Sequence, residues 1–134
     1  MLRCIRHALA GGLLLPGEGW AFLHQEWRLP TADGGGKVDL LAIDVATRRL
    51  VVIECKSSKA GTTASDRQGR DAATQAAEYA HLIHRHRADL YPFFNRLAAA
   101  LHATYDGPTE LGDLLLDPEH VPTTAVWWPG NPIS

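Results

Sequence analysis

Three stretches in the first half of the chain have the apolar pattern typical of β-strands. They are "AFLHQEWRLP" (21–30), "KVDLLAIDV" (37–45) and "LVVIECK" (50–56). Alternating or continuous apolar residues bounded by turn formers indicate strands in half-buried or buried sheets. "TADGGG" (31–36) predicts a turn after the first run, and "ATRR" a turn after the second. The three runs therefore predict a meander of antiparallel strands.

The remaining segments favour helices and one more strand. Apolar residues recur at helical spacing from about residue 66 to residue 86, with Ser65 or Asp66 as the predicted cap. A further helix is predicted over about 92–104, and "VPTTAVWWPG" (121–130) predicts a short last strand.

A first helix is also predicted before about Gly12, which gives the order α-β-β-β-α-α-β. That order predicts an α/β fold whose central sheet is flanked by helices.

Composition narrows the class of protein. The chain has 134 residues, of which 46% are hydrophobic and 21% charged, so we expect a single globular domain spanning residues 1–134. The formal net charge of −2 gives no global basic signal, so any nucleic acid would have to bind a local patch. Cys4 and Cys55 form no CxxC, which favours a reducing, cytoplasmic setting. No apolar run is long enough to cross a membrane, and the breaks in the opening segment favour a first helix over the alternative of a secretory signal.

Charged residues interrupt the third strand and meet a partner on the second. If the turn is centred on Thr47 and Arg48, Asp39 faces Lys56 and Leu41 faces Glu54. Because side chains alternate between faces, Asp39, Glu54 and Lys56 would then emerge together at one end of the hairpin.

Two interpretations of this cluster compete. The first is a structural ion pair on a solvated edge of the sheet. The second is a cation site, since two crowded carboxylates raise one another's pKa unless a cation lies between them. Mg²⁺ prefers a few carboxylate oxygens with water, and a neighbouring ammonium can orient an attacking water.

The segment "GKVDLLAIDVATRRLVVIECK" resembles the core of the PD-(D/E)XK nuclease superfamily, in which an Asp on one strand is followed by (D/E)-x-K on the next. The resemblance implies a restriction-endonuclease-like core, with an antiparallel catalytic hairpin in a mixed sheet. It implies that Asp39, Glu54 and the backbone carbonyl of Cys55 bind the metal and that Lys56 is the catalytic lysine. Glu26 is the best match to the glutamate that many members place upstream.

A second motif lies downstream. "TQAAEYA" contains Q-x-x-x-Y, as in RecB-type nuclease domains, and this resemblance implies that Gln75 and Tyr79 support the site from one helix face. Lys59, Arg67 and Arg70 follow closely enough to contact backbone phosphates. In "HLIHRHR" (81–87) the histidines could bind zinc, but no cysteine or carboxylate nearby completes a ligand set, and a polar helix end is the favoured interpretation.

The sequence thus predicts a nuclease, most simply an endonuclease, that depends on Mg²⁺, or Mn²⁺ as a substitute, and cuts DNA. RNA stays open as a substrate. The alternative is a catalytically silent nuclease-like domain that binds nucleic acid or a protein within a larger complex. The small size suits a homodimer or a subunit, since no separate recognition domain is visible.

Overall fold

A computed structural model of the protein describes residues 19–29, 36–66, 69–105 and 109–128. The predicted opening helix, most of the "TADGGG" turn and Arg67 lie outside the described residues.

Four strands form one mixed sheet. They are β1 (Trp20–Arg28), β2 (Lys37–Asp44), β3 (Arg49–Cys55) and β4 (Thr123–Trp127), in the spatial order β1-β2-β3-β4. The first three are antiparallel neighbours, and β4 runs parallel to β3. The predicted meander and the last strand are confirmed.

The centre of the sheet is buried on both sides. Every residue of β3 from Leu50 to Glu54 is buried. A strand covered on both faces needs apolar residues in succession rather than in alternation, which explains the run "LVVI".

The described residues also form three helices and one 3-10 helix. They are α1 (Lys59–Thr63), α2 (Ala72–Arg85), α3 (Arg87–Thr104) and the 3-10 helix Thr109–Asp113. Helix α2 packs against β3 and β4, whereas α3 packs against β1. The ring of Phe94 on α3 meets the edge of Trp27 on β1, with centroids 5.1 Å apart. The predicted α/β class, with a mixed sheet between helices, is confirmed.

The predicted start of the first long helix was wrong. The N-cap of α2 is Asp71, whose carboxylate accepts a hydrogen bond from the Thr74 N–H at 2.8 Å. Asp66 accepts hydrogen bonds from the backbone and the guanidinium of Arg70 instead. The contacts of Asp66 hold a loop in place ahead of the helix, so this residue does not cap it.

One other helix boundary differs from the prediction. Helix α3 begins at Arg87 and contains Pro92 in its interior, although a proline removes one backbone hydrogen bond there. The apolar side chains of Leu90, Tyr91 and Phe94 are buried, and their packing offsets that loss. The short helix α1 is capped by Ser58, whose hydroxyl accepts a hydrogen bond from the Gly61 N–H.

No helix within the described ranges has both the length and the apolar character that a membrane crossing requires.

Candidate metal centre

The hairpin register differs from the predicted one by two residues. Leu41 pairs with Val52, and Asp44 pairs with Arg49 at the turn. Continuing this register places Asp39 level with Glu54, so the prediction that Asp39 faces Lys56 was wrong. A shift of two residues leaves every side chain on its original face. Asp39, Glu54 and Lys56 therefore share one face, as the sequence indicated.

The turn explains the shift. The Asp44 carboxylate accepts hydrogen bonds from the backbone N–H groups of Ala46 and Thr47, at 3.1 and 3.2 Å. Arg48 takes a left-handed conformation, with φ of 61°, and its N–H donates to the Asp44 carbonyl at 2.7 Å. An aspartate that binds its own turn in this way closes the hairpin one position earlier than expected.

Asp39 and Glu54 form a coupled pair of carboxyl groups. Glu54 is 3% exposed, and Asp39 is half-buried. One carboxylate oxygen of Asp39, Oδ2, accepts a hydrogen bond from the Cys55 N–H at 2.9 Å, which ties β2 to the end of β3. Burial, the charge of Asp39 and a hydrogen bond between the two carboxyl groups raise the pKa of Glu54 to about 8, although Lys56 and Arg70 oppose the shift.

Glu54 also has an oxygen without a partner. Its Oε1 atom is buried and has no hydrogen-bond partner among the described residues. Buried polar atoms are almost always satisfied, and leaving one unpaired costs about 1–3 kcal/mol. An oxygen of this kind beside a second carboxylate is a suitable ligand for a cation.

Lys56 lies on the solvent-exposed side of the Asp39–Glu54 pair. Its Nζ atom is 3.8 Å from Oε2 of Glu54, which is longer than a hydrogen bond, and its side chain is 27% exposed. The Lys56 N–H donates to the Trp127 carbonyl at 2.8 Å, so β4 fixes the backbone from which the side chain starts. The ammonium is therefore held near the carboxyl groups while still facing solvent.

Gln75 and Tyr79 reach the same region from α2. Gln75 is buried, and its side-chain amide donates to the Arg70 carbonyl at 3.2 Å. Burial and the nearby charges of Glu54 and Asp39 raise the pKa of Tyr79, whereas Arg70 lowers it. The structure therefore places Tyr79 where the charges of the two carboxyl groups act on it, and places Gln75 one turn earlier, against the loop before α2.

Arg70 is held by carboxylates. Its guanidinium pairs with Asp66 at 2.8 Å and with Glu78, and these partners, Glu78 first, raise the pKa of Arg70. This network anchors the start of α2 beside the site. Of the other predicted phosphate contacts, Lys59 is exposed at the start of α1, and Arg67 lies outside the described residues.

Glu26 lies close to the site in the sheet but has another partner. Its neighbours Gln25 and Trp27 pair with Leu40 and Val38, which places Glu26 level with Asp39. It takes a left-handed conformation, with φ of 49°, and its carboxylate is 3.4 Å from Nζ of Lys37. The side chain is 48% exposed, and its partner is a lysine rather than the Asp39–Glu54 pair.

The donor set suits an ion that takes most of its ligands from water. Across the described residues, no group of three or more His, Cys, Asp or Glu side chains is arranged to hold a metal. Mg²⁺ commonly binds through one or two carboxylates and keeps several waters. The two carboxyl groups, with the unpartnered Oε1 of Glu54, fit that requirement. The Cys55 carbonyl, predicted as a third ligand, belongs to the last residue of β3.

The contact of Gly36 with Tyr79 was not predicted from the sequence. A Cβ atom at position 36 would lie 2.6 Å from Cε1 and 2.7 Å from Cζ of Tyr79. The only signal was the glycine run 34–36, which indicated a turn and no contact with a side chain 43 positions away.

Comparison of the chain with protein-family models, curated proteins and solved structures gives no significant match.

Proposed function

We propose that this chain is a Mg²⁺-dependent nuclease that hydrolyses phosphodiester bonds of DNA and belongs to the PD-(D/E)XK superfamily. The observation that carries the proposal is the buried, unpartnered Oε1 of Glu54, which lies beside Asp39 at the end of a hairpin that also holds Lys56.

Asp39 and Glu54 would hold the cation, together with the Cys55 carbonyl. Two neighbouring carboxylates, one of them buried, ionise together only when a positive charge offsets their repulsion and desolvation. A bound divalent ion would supply that positive charge, whereas in the metal-free protein Glu54 keeps a proton instead. When bound, Mg²⁺ or Mn²⁺ supplies Lewis-acid stabilisation of charge at the scissile phosphate.

Lys56 is the group for positioning the attacking water. Its Nζ atom lies 3.8 Å from Glu54 and remains accessible to solvent, so one of its protons is available for a water or a phosphate oxygen. Tyr79, on which the charges of both carboxyl groups act, would orient the phosphate or the carboxyl pair through its hydroxyl. Gln75 supports the site by bonding the backbone of Arg70.

The architecture supports the proposal. A restriction-endonuclease-like core requires a mixed sheet with an antiparallel hairpin flanked by helices, and the sheet here has that arrangement. DNA would contact the protein locally, since the net charge is −2, and exposed Lys59 lies three residues beyond Lys56. A homodimer or a larger complex would supply the surface for target recognition.

The test is a cleavage assay with supercoiled, linear, single-stranded and branched DNA, and with RNA, in Mg²⁺ or Mn²⁺. The wild type is compared with Glu54→Ala, Lys56→Ala and a control, Glu119→Gln, that alters an exposed carboxylate. We expect metal-dependent cutting that the first two substitutions abolish and the control retains. Nucleic acid binding without cutting under every condition would favour the silent, binding domain instead.

A further inference from the structure

Gly36 and Tyr79 are in contact at the start of β2. Gly36 immediately precedes the strand, and its carbonyl accepts a hydrogen bond from the Leu29 N–H at 3.2 Å. The hydroxyl end of Tyr79 covers the side of Gly36 from which a side chain would project, because its hydroxyl oxygen is the atom nearest to the position of a Cβ atom, and Cε1 and Cζ lie 2.6 and 2.7 Å from that position. Real Cβ atoms do not approach other atoms this closely.

This glycine is required for space rather than for backbone conformation. The described glycines with positive φ are Gly19 and Gly69, and Gly36 is not among them. An alanine could adopt the backbone of Gly36, but its methyl group would occupy the volume that the Tyr79 ring now fills.

The same side chain interacts with the charged groups of the site. The charges of Glu54 and Asp39 raise the pKa of Tyr79, and Arg70 lowers it. The hydroxyl end of Tyr79, which lies against Gly36, is therefore the part of the side chain that responds to the carboxyl pair.

We infer that Gly36 is a positioning residue, whose missing side chain leaves room for the hydroxyl end of Tyr79 against the start of β2, three residues before Asp39. The role of Tyr79 in cleavage rests on the function proposed above, whereas the contact itself does not. A methyl group at position 36 moves the phenol away without changing any predicted metal ligand.

We expect the Gly36→Ala variant to fold. The clashing atoms belong to the far end of a rotatable side chain, so rotation of Tyr79 relieves the overlap without moving backbone. Gly61 offers a matched control, because an added Cβ there would meet Lys56 and Ser58 at an ordinary 3.5 Å.

The contact is tested by NMR spectroscopy on the full chain without metal. We expect nuclear Overhauser effects between the Gly36 Hα protons and the Tyr79 ring. In Gly36→Ala, the amide resonances of Asp39, Glu54 and Cys55 should shift, and they should shift little further when Tyr79→Ala is added. Absence of the Overhauser effects, or equal shifts of these three amides in Gly61→Ala, would overturn the inference whether or not the protein cuts DNA.

The consequence is tested by a double-substitution cycle on the rate of DNA cleavage. Displacement of a positioned group by about 1 Å can cost about 100-fold. We expect Gly36→Ala and Tyr79→Ala each to slow cleavage by about 10- to 100-fold and the double variant to be no slower than Tyr79→Ala. Independent, multiplying losses would show that Gly36 does not act through Tyr79. If the wild type cuts nothing, the proposed function fails, and the amide shifts still decide the positioning role.

Discussion

Replacing Glu54 by glutamine should stabilise the metal-free protein near neutral pH. Glutamine has nearly the same shape as a protonated glutamate, but its side chain does not ionise. In the wild type the pKa of Glu54 is raised from 4.5 to about 8, chiefly by burial and then by Asp39. Folding at pH 7 therefore requires Glu54 to take up a proton that the unfolded chain has already lost.

The magnitude follows from the pKa shift. A pH of 7 is about 2.5 units above the pKa of the Glu54 carboxyl in the unfolded chain. Each unit corresponds to about 1.4 kcal/mol, so taking up the proton on folding costs about 3 kcal/mol. Stabilities of domains are about 5–15 kcal/mol, so a change of this size is easily measured. We expect Glu54→Gln to recover about 2–3 kcal/mol of unfolding free energy, since the new amide adds one group that must find a partner.

The sign of the pH dependence is fixed by the direction of the shift. Below about pH 4.5 both the folded and the unfolded states hold the proton, so the two proteins should differ little. Between about 4.5 and 8 only the folded wild type holds it, so wild-type stability falls as pH rises. The advantage of Glu54→Gln should grow over this window and level off above pH 8.

Urea denaturation in a chelating buffer at pH 4.5, 6, 7 and 8 measures these differences. Glu119→Gln, which alters an exposed carboxylate, is the control and should show no such pH-dependent gain. If Glu54→Gln were less stable than the wild type at pH 7, or if its effect did not change with pH, a protonated, buried Glu54 would be refuted.

Three further outcomes follow from the structure. Lys56→Met should slow cleavage by about 100-fold or more while divalent-ion binding is retained; loss of ion binding would instead make Lys56 part of the binding site. Phe94→Ala removes a fully buried ring and should lower the unfolding free energy by about 3–5 kcal/mol in urea titrations; a loss under about 1 kcal/mol would contradict its packing on Trp27. Arg48→Gly should raise the unfolding free energy by about 0.5 kcal/mol, and with it the thermal midpoint, because Arg48 has a left-handed backbone conformation that glycine adopts without strain. A lower midpoint would contradict this.

The sequence predicted strand positions and faces better than strand register. Apolar runs locate β2 and β3 because both strands are buried on both faces. The alternation of side chains preserves the shared face of Asp39, Glu54 and Lys56 under a two-residue shift. The register itself depends on the Asp44 carboxylate binding its own turn, and a strand pattern does not contain that information.

The first residues of the helices were harder to predict for a related reason. Asp66 and Asp71 are both suitable caps by residue type, and Asp71 takes that role because Asp66 pairs with Arg70. The same guanidinium pairs with Glu78 on α2, so the choice of cap depends on contacts across the loop. Spacing along the chain cannot show them.

The candidate site was predictable where it rests on local spacing. Strand alternation predicted the shared face of Asp39, Glu54 and Lys56, and the resemblance to RecB-type nuclease domains pointed to Gln75 and Tyr79 on one helix face. The contact between Gly36 and Tyr79 and the pairing of Glu26 with Lys37 depend on how distant elements pack or how the β1 backbone bends. These features required the structure.

Titration calorimetry with Mg²⁺ or Mn²⁺ at pH 7, in buffers of different ionisation enthalpy, tests the metal site most directly. A site formed by Asp39 and a protonated Glu54 should bind one ion saturably and release close to one proton into the buffer. Both effects should vanish in Glu54→Ala and persist in Glu119→Gln. No binding, or binding that Glu54→Ala leaves intact, would contradict a metal centre at this pair and would favour a structural ion pair.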